Sequence, residues 1–551
     1  MSAQREAVPA PRGAAWSGRR LPLSTRECVA LAAFVVALLA GSALPYAVAW
    51  HATPEDRVYV GTSEASADDY PTYLAKMRSA ARGRVRYVSP YAPELESSLA
   101  VRPLYAALGA ATGALGARLW VGYHVGRLLA GALCLLAIFA VARALARGAS
   151  ERWTAFTLAS VGSGIGVWLG REGPRASWSY DLWVPELNAA YAILTNPHFP
   201  VAIGLALATF AGVARSLDTR RSGPALLAGV ALGALAWIHT YDVLIVAAVL
   251  GVYGAGALAT RAVAVRDLLR AALSLSATAL PAVAWQLAAY LSDPALGQMG
   301  RAQPVGSPLA VAAGAGLLLP AALFGAPRLA RRSALGAMIA VWALLVPLLL
   351  ALPLPFARRL VAGWHVPLGL AAGIALAHAL ARLQAPALRR AALVACVALA
   401  SLTTLDIVAY QVRRFAAPTP AQTTSLPRDL VDAYAWLDAN AAPGDVVLAA
   451  YGPSNWLPVF SDLRPYFGHW AEAPDAQTRA LASRRFFAPA SRDAEREAFL
   501  LRAGIDWVLD GPVWQPPGAA RVRPERMDRV SRAATRGRVA ILRVDQGERT
   551  R

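Results

Sequence analysis

Long apolar segments recur along this sequence, and they restrict the fold more than any other feature. Segments 28–50, 334–354 and 391–410 are each as long as the roughly 18 to 20 apolar residues that cross about 30 Å of hydrocarbon. The composition agrees, since 56% of the 551 residues are hydrophobic and only 16% are charged. A water-soluble protein of this length would need far more polar surface, so we predict that most of the chain lies in lipid.

The first apolar segment, residues 28–50, is predicted to be a membrane anchor and not a cleaved signal peptide. Its apolar part is too long, and the sequence LPYAVAW near its end lacks the small-residue cleavage pattern. The cysteines Cys28, Cys134 and Cys396 all lie in predicted spans, so the sequence indicates neither a disulfide framework nor a thiolate site.

The hydropathy pattern predicts about eleven membrane spans. A further apolar segment, 103–117, is short and rich in glycine and alanine, so we expect it to be re-entrant or interfacial. The predicted fold class is mainly α: a polytopic transmembrane helical bundle with a C-terminal soluble α/β domain. The predicted spans cover residues 28–49, 120–146, 153–170, 197–215, 223–238, 241–260, 268–291, 307–326, 333–353, 360–382 and 388–411.

The distribution of arginine predicts how these spans are oriented. The chain carries 54 lysine and arginine residues against 34 aspartate and glutamate residues, but the basic residues occur in small groups between the spans. A nucleic-acid-binding surface would concentrate them on one face, so we expect no nucleic acid partner. The N-terminal tail and every second connection are rich in arginine, which the positive-inside rule assigns to the cytoplasm. These groups are Arg5, Arg12, Arg19, Arg20 and Arg26; Arg143, Arg147 and Arg152; Arg215, Arg220 and Arg221; Arg261, Arg266 and Arg270; Arg328, Arg331 and Arg332; and Arg382, Arg389 and Arg390.

This orientation predicts a multi-pass protein of the cell inner (cytoplasmic) membrane with a cytoplasmic N-terminus. Residues 1–27 are expected to be a disordered tail, 28–411 a transmembrane domain with an outer loop at 50–119, and 412–551 an extracytoplasmic α/β domain. In the last segment, PRDLVDAYAWLDAN and residues near 491–503 have a helical pattern, whereas DVVLAA, IDWVLDG and RVAILRV are typical of strands.

Two adjacent carboxylates, Asp68 and Asp69 in ADDYPTYL, follow the first span on the predicted outer side. The residues alone leave two interpretations open. Both carboxylates suit the N-terminus of the amphipathic run that follows, as helix caps. They also suit a general base beside a group that positions an acceptor or a metal ion. The basic segment LAKMRSAARGRVRY, which contains Lys76, is predicted to lie at a lipid interface.

Other polar residues fall on the same predicted side, where we expect them to line a cavity. His198 is also typical of a histidine at the start of a membrane helix. His239 and Asp242 could form a purely structural pair, because ionisable groups in a span are costly unless they are paired or functional. Arg358 and Arg359 break the positive-inside pattern. Guanidinium forks bind phosphate oxygens, although arginines also snorkel to the membrane surface. The remaining members of this set are Asp181, Glu186, Asn188 and His365.

The sequence contains no nucleophile elbow, Walker loop or metal-ligand spacing. The glycines of VGSGIGVWLG (161–170) lie in a predicted span, and we expect them to serve helix packing.

The apolar first span, the paired acids of ADDYPTYL, the many further spans and the C-terminal α/β segment together resemble the GT-C class of integral-membrane glycosyltransferases. The segments NPHFP, HTYD and PFARRLVAGWHVP, and the tail WLDANAAPGDVVLAAYGPSNWLPVFSDLRPYFGHW, are similar to those of bacterial members with this layout. The resemblance implies transfer of a sugar from a polyprenyl-phosphate donor to a glycan, lipid or protein acceptor on the extracytoplasmic face.

The resemblance also implies residue roles. Either Asp68 or Asp69 would activate the acceptor hydroxyl as a base, while the other would hold the acceptor or a divalent cation. Arg358 or Arg359 would bind the phosphate of the lipid carrier, and a single displacement would invert the anomeric centre. Because the acid pair has no neighbouring glutamate, the sequence leaves open whether a cation is required. The same cavity would be lined by His198, His239 and Asp242.

Two other functions stay open at this level. A transporter or flippase of lipid-linked saccharides would place ionisable residues near the membrane midplane and would show inverted repeats. Here the polar residues gather at the predicted outer mouth, and no repeat is visible. A non-catalytic membrane protein with a partner-binding C-terminal domain would leave the paired acids and the outer arginines unexplained.

Overall fold

The computed structural model is mostly helical and divides into two compact units. The first unit comprises Met1–Ala40, Leu129–Ala284 and Gln303–Ile407. The second unit comprises Gly41–Leu128, Trp285–Ala302 and Val408–Arg551, so it holds the whole range of the predicted outer loop, 50–119, together with the C-terminal segment. The structure describes residues 23–62, 64–84, 87–92, 103–172, 178–292, 305–417, 423–473, 475–511 and 521–547.

Among the described residues, 6 helices are long and apolar enough to cross a membrane, or up to 8 if each of two bent pairs forms one span. The bent pairs are Pro308–Ala315 with Leu318–Ala330, at 67°, and Pro386–Ala400 with Leu402–Ala416, at 50°. The chain is therefore a multi-pass membrane protein, but the prediction of about eleven spans is not confirmed. The six single candidates are Thr25–His51, Leu119–Leu145, His198–Thr219, Asp242–Ala259, Val265–Ser292 and Ala357–Leu380.

Helix breaks explain the lower count. The predicted span 153–170 is not one continuous helix, because the helix Ala149–Val161 ends at Val161 and Gly162 is extended. A Cβ on Gly164 would lie 2.2 Å from the Ala313 carbonyl oxygen, so this glycine permits close packing outside any continuous helix. The helices Gly223–Ile238 and Ala334–Leu350 have only 16 and 17 residues. Among its described residues, the first unit also has the short helices Gly166–Leu169, Tyr180–Trp183 and Ala189–Thr195, and the 3₁₀ turns Pro185–Leu187 and Ala357–Val361.

Small residues bring the helices of the first unit into close contact. Gly325 of Leu318–Ala330 faces the helix His365–Leu380, where an added Cβ would lie 1.9 Å from the Ala371 carbonyl oxygen. Burial of the facing alanines and leucines then supplies a continuous apolar core. In lipid, such van der Waals packing at small residues takes the place of the hydrophobic effect as the main force between helices.

The second unit contains a five-stranded sheet with the strand order β4-β3-β5-β7-β6. Strands β3 and β4, and β3 and β5, are parallel, whereas β7 is antiparallel to both β5 and β6. A separate antiparallel pair joins β1 to β2, which ties the outer loop to the start of the C-terminal segment. The strands are β1 (Arg57–Tyr59), β2 (Ser425–Pro427), β3 (Val446–Leu448), β4 (Arg464–Pro465), β5 (Trp507–Asp510), β6 (Val530–Arg536) and β7 (Val539–Val544).

The elements predicted for the C-terminal segment are confirmed. Helices form at Arg428–Asn440 and Asp493–Arg502, and strands β3, β5 and β7 form where DVVLAA, IDWVLDG and RVAILRV were identified as strands. The segment 103–117 forms the helix Pro103–Ala114. In the described part of this unit, further helices form at Tyr70–Ala81, Tyr451–Phe460 and Ala476–Phe486, and 3₁₀ turns form at Glu64–Ser66 and Pro524–Arg526.

Two side chains of the basic run after the acid pair, Lys76 and Arg78, are buried in the second unit and do not face lipid, contrary to the prediction for this part of the run. Lys76 is 8% exposed and lies 2.6 Å from Glu472. Arg78 is also 8% exposed and pairs with Asp438 and Asp462. These side chains are held by carboxylates of the C-terminal segment because a buried cation requires an opposite charge. The helix Tyr70–Ala81 is therefore part of the second unit's packed interior.

Candidate functional site

The acid pair lies in the turn that leads into the helix Tyr70–Ala81, which has a proline in its first turn. Asp69 occupies the N-cap position but its side chain makes no capping hydrogen bond. Its Oδ1 atom instead lies 2.9 Å from Nε2 of His469. The helix-cap interpretation is therefore wrong for the Asp69 side chain, which binds a residue of the C-terminal segment.

His469 is buried, and its two ring nitrogens have different partners. The Ala471 N–H donates to Nδ1 over 3.3 Å, which makes Nδ1 an acceptor. In the neutral ring the proton is then on Nε2, which donates to the Asp69 carboxylate. This bond connects the acid-pair turn to the loop that follows β4.

Asp68 has different surroundings from its neighbour. Its backbone carbonyl accepts a hydrogen bond from Nδ2 of the buried Asn455 over 2.8 Å. Its exposed side chain lines a cavity of about 660 Å³ within the second unit, next to the Tyr451 hydroxyl. The pKa of Tyr451 is raised well above its usual value by burial and by the negative charges of Asp68 and Asp69.

The cavity lies beyond the carboxyl ends of β3 and β4, which are adjacent and parallel. Ligands of parallel sheets bind in such positions, outside the carboxyl ends of the strands. Its walls come from the acid-pair turn, the segments that follow both strands, and the helix Ala476–Phe486. The described lining residues are Asp68, Ala450, Tyr451, Phe467, Trp470, Ala476, Gln477, Ala480, Ser483, Arg484 and Phe487.

A second polar cluster lies in the first unit, around Glu186. Its Oε1 atom is 3.0 Å from Nη1 of Arg359 and 3.9 Å from Nη1 of Arg358. The Arg358 guanidinium also lies 5.1 Å above the Trp183 ring, and the Gly363 N–H donates to the Glu186 carbonyl oxygen over 2.7 Å. Burial raises the pKa of Glu186, but the charges of Arg359 and Arg358 outweigh burial, and the pKa is lowered. Glu186 is therefore a carboxylate that two guanidinium groups share.

His198, His239 and Asp242 lie together in the first unit. Nδ1 of His239 is 2.8 Å from Oδ1 of Asp242, and the rings of His239 and His198 are 5.9 Å apart. The ring of Tyr241, which lies between His239 and Asp242 in the sequence, is 5.0 Å from the ring of Phe356, which directly precedes the turn that carries the two arginines. The sequence predicted that these residues share one side of the protein, and the structure brings them together.

The other three predicted cavity residues are buried among protein groups. Asp181 accepts from the Ser179 hydroxyl and the Gly166 N–H, and burial raises its pKa to about 6. Asn188 caps the helix Ala189–Thr195 through the Tyr191 N–H and donates to Thr404. The ring nitrogens of His365 face the carbonyl oxygens of Gly162 and Gly314 at 3.2 and 2.7 Å. These contacts favour a packing role for Asp181, Asn188 and His365.

Sequence reasoning missed Tyr451, Trp470 and Arg484, which line the cavity, and His469, which binds Asp69. For His469 and Trp470 the available signal was the cluster of aromatic and polar residues in RPYFGHW. Within the described residues, no group of three or more His, Cys, Asp or Glu side chains is arranged to hold a metal ion. The Asp69 carboxylate and His469 Nε2, which are candidate ligands, are bound to each other. We therefore derive no step through a metal ion.

Comparison with solved structures identifies the fold. No protein-family model matches the sequence, and no curated protein matches it significantly. The chain is similar to the archaeal oligosaccharyltransferase AglB from Archaeoglobus fulgidus, solved with an inhibitory peptide and a dolichol-phosphate, at a TM-score of 0.55 and 13% identity over 88% of this chain and 70% of that one. The same archaeal enzyme was also solved in complex with Zn and sulfate.

Two bacterial structures are also similar. ArnT from Cupriavidus metallidurans, bound to undecaprenyl phosphate, matches at a TM-score of 0.54 and 13% identity over 94% of this chain and 98% of that one. The arabinofuranosyltransferase AftD from Mycobacteria matches at 0.51 and 17% identity, over 96% of this chain but only 40% of AftD. Because likeness extends over most of the chain in each case, this protein has the fold of the GT-C glycosyltransferases.

Proposed function

We propose that this protein is a membrane glycosyltransferase that moves a sugar from a polyprenyl-phosphate donor to an acceptor hydroxyl. The observation that carries the proposal is the Asp68 carboxylate on a cavity of about 660 Å³, in a chain with the GT-C fold. The dolichol-phosphate in the AglB structure and the undecaprenyl phosphate in the ArnT structure support a lipid-linked donor. The arginine distribution supports an inner-membrane protein with a cytoplasmic N-terminus and an acceptor on the extracytoplasmic face.

Asp68 has the surroundings expected of the base. It is an exposed carboxylate on the cavity wall, and the Asn455 amide holds its backbone in place. The Asp69 carboxylate is not among the described residues that line the cavity, and it binds the buried His469. A general base must reach the proton that it removes, so Asp68, whose side chain lines the cavity next to the Tyr451 hydroxyl, is the better candidate of the two. Asp69 would act as a positioning residue.

Arg358 and Arg359 are the proposed ligands of the donor phosphate. The two guanidinium groups share the single carboxylate of Glu186, so this trio retains a net positive charge. Their fork geometry suits phosphate oxygens, and Trp183 and Glu186 fix their orientation. Charge that develops on the leaving phosphate would be stabilised here.

The proposed step is a single displacement. The acceptor oxygen forms a bond to the anomeric carbon while the bond from that carbon to the phosphate oxygen breaks. The hydroxyl proton goes to the Asp68 carboxylate, and the electron pair of the broken bond stays on the polyprenyl phosphate. Attack from the face opposite the leaving group inverts the anomeric centre.

The test measures release of polyprenyl phosphate and formation of glycosylated acceptor by the full chain in lipid nanodiscs, with a panel of polyprenyl-phosphate sugars. Asp68→Asn is expected to lower kcat by about 10²- to 10⁴-fold, the usual contribution of a general base. Asp69→Asn should lower it less, because that side chain acts through His469. Asp432→Asn, at an exposed position of the helix Arg428–Asn440, is the matched control and should leave kcat unchanged.

Three results would count against this function. Transfer that is unchanged in Asp68→Asn would refute the base assignment. Movement of the lipid-linked sugar across the bilayer without any transfer would support a flippase instead. Absence of both activities with every donor of the panel would favour a non-catalytic membrane protein.

A further inference from the structure

The cavity beside Asp68 has the size and position of a small-molecule site. Its volume of about 660 Å³ lies within the roughly 300–1,000 Å³ typical of such sites. The cavity lies at the end of β3. From β3 the chain passes through the helix Tyr451–Phe460 to β4, which pairs with one edge of β3, whereas β5 pairs with the opposite edge. This reversal of strand order is the point at which parallel sheets form a ligand-binding crevice.

The described lining combines aromatic rings with planar polar groups. Trp470 is 43% exposed, so much of its indole is accessible. Tyr451, Phe467 and Phe487 contribute further aromatic surface. Asp68, Gln477 and Arg484 supply a carboxylate, an amide and a guanidinium, which between them accept and donate hydrogen bonds. A ligand that fits must offer apolar faces and a rim of groups that both donate and accept.

The charge of the lining narrows the choice of ligand. Of the described residues that line the cavity, Asp68 and Arg484 are the charged ones, and their charges are opposite. A phosphate headgroup or an acidic peptide would need an excess of cations, which this lining does not supply. A sugar ring has C–H faces that pack on aromatic rings and hydroxyls that bond to carboxylate, amide and guanidinium groups.

We propose that this cavity binds a neutral saccharide, so that the acceptor is recognised through a sugar unit. This inference rests on the proposed function, in which Asp68 takes the proton of the acceptor hydroxyl. Trp470 forms the stacking platform, while Gln477 and Arg484 orient the ring hydroxyls. Trp470, Gln477 and Arg484 are thus specificity-determining residues for the acceptor.

The walls of the cavity are held in place on both sides of the acid-pair turn. On one side Nδ2 of Asn455, from the helix Tyr451–Phe460, donates to the Asp68 carbonyl oxygen. On the other side the Asp69 carboxylate binds His469, the residue directly before Trp470. The two bonds fix the carboxylate and the indole relative to each other, which lowers the entropy that ordering them would cost on binding.

The experiment measures saccharide binding to the full chain in lipid nanodiscs, without any donor, by calorimetry and by saturation-transfer NMR. The probes are methyl glycosides and trisaccharides of glucose, mannose and arabinose. At least one should bind, and Trp470→Ala should weaken its binding about tenfold or more, because the stacking surface is lost. Trp470→Phe, which keeps an aromatic face, should restore most of the affinity.

Neighbouring exposed residues provide matched controls. Arg484→Ala should weaken binding about tenfold, as expected when a hydrogen bond from a charged group is lost, whereas Arg485→Ala should not. Gln477→Ala and Thr478→Ala form a second pair of the same kind, on the same helix. All four side chains are exposed, so these variants should fold like the parent protein.

Several outcomes would overturn the inference. One is that no sugar binds with a Kd below about 10 mM. Equal affinity in Trp470→Ala and the parent protein would be another. Binding of octyl glucoside but not methyl glucoside would mean that the alkyl chain is recognised. If a sugar binds but no donor supports transfer, the saccharide site is retained and the proposed function is refuted. If the protein transfers sugar to a glycan equally well with and without Trp470→Ala, the proposed function is retained and the saccharide site is refuted.

Discussion

Replacing Asp462 by Asn should loosen the attachment of the outer loop to the C-terminal segment within the second unit. Its Oδ2 atom lies 2.6 Å from Nη1 of Arg82 and 2.7 Å from Nη2 of Arg84, and its Oδ1 atom pairs with Arg78. Asp438 is a second, weaker partner, at 3.2 Å from both Arg78 and Arg82. Asp462 therefore carries the shortest bonds of this network.

The magnitude follows from the exposure of each partner. The side chain of Arg78 is 10% exposed and that of Asp462 is 18% exposed, so their pair lies between the buried and surface cases. Removing one partner of a fully buried pair costs about 3–5 kcal/mol, and exposed pairs contribute about 0.2–1 kcal/mol. Arg78 keeps Asp438 in the variant, so we expect a loss of about 2–3 kcal/mol in total.

Hydrogen exchange monitored by mass spectrometry on the full chain in nanodiscs measures this loss locally. Amides of the helix Tyr70–Ala81 should exchange about 30- to 150-fold faster in Asp462→Asn, since each 1.4 kcal/mol is tenfold. Asp438→Asn should accelerate exchange of these amides about tenfold or less, and Asp432→Asn, at an exposed position, should leave their exchange unchanged. If Asp438→Asn and Asp462→Asn accelerate exchange equally, the reasoning from bond length and burial is refuted.

The same network predicts a pH dependence. Burial raises the pKa of Asp462, but its bonds to Arg78, Arg84 and Arg82 outweigh burial, so its pKa is lowered in the folded protein. Its stabilisation is then fully present above the unfolded pKa of about 3.9 and is lost as the pH falls through the folded pKa. The difference in exchange between parent and variant should stay constant from pH 7 to about 5 and shrink below about 4.

Two further predictions concern the first unit. Arg359→Gln should raise the KM for a polyprenyl-phosphate sugar about tenfold or more, because a hydrogen bond from a charged group to the phosphate is lost. Arg359→Lys should restore the KM only in part, because an ammonium group cannot bind two phosphate oxygens as a fork, and an unchanged KM in steady-state kinetics with varied donor concentration would contradict the prediction. Gly325→Ala should lower the yield of folded protein by forcing two helices apart, at a cost of about 1–3 kcal/mol or more, whereas Gly251→Ala, whose added methyl group meets nothing within 4 Å, should be tolerated. Gel filtration and thermal melting in detergent measure this, and a Gly325→Ala protein at least as stable as Gly251→Ala would contradict the prediction.

Local pattern was sufficient for the C-terminal helices and strands, but not for the number of spans. The alternating and helical periods of residues 428–440 and 539–544 depend only on neighbouring residues, so they could be predicted from the sequence. Hydropathy does not register helix breaks such as the one at Gly316, which has a φ of +54° and separates the two helices of a bent pair. An apolar stretch with a glycine break therefore counts as a span by composition while its helices are short or bent.

The candidate residues were identified from sequence more successfully than their partners. Asp69 stood out beside Asp68, but its partner His469 lies 400 residues away along the chain. Arg359 stood out as an exception to the positive-inside pattern, and its partner Glu186 is 173 residues distant. Single-sequence reasoning identifies a costly charge, but the residue that compensates it is chosen by the tertiary fold.

The surroundings of the two aspartates explain why the pair contains two carboxylates when one base is enough. Neighbouring carboxylates with the same environment would compete for one proton and for one position. Here the His469 Nε2–H binds Asp69, while Asp68 lies on the cavity wall next to the Tyr451 hydroxyl. Environments that differ in this way separate the chemical roles of paired acids. We infer that Asp69 holds the loop bearing Trp470 against the turn, while Asp68 lines the cavity in which the acceptor would bind.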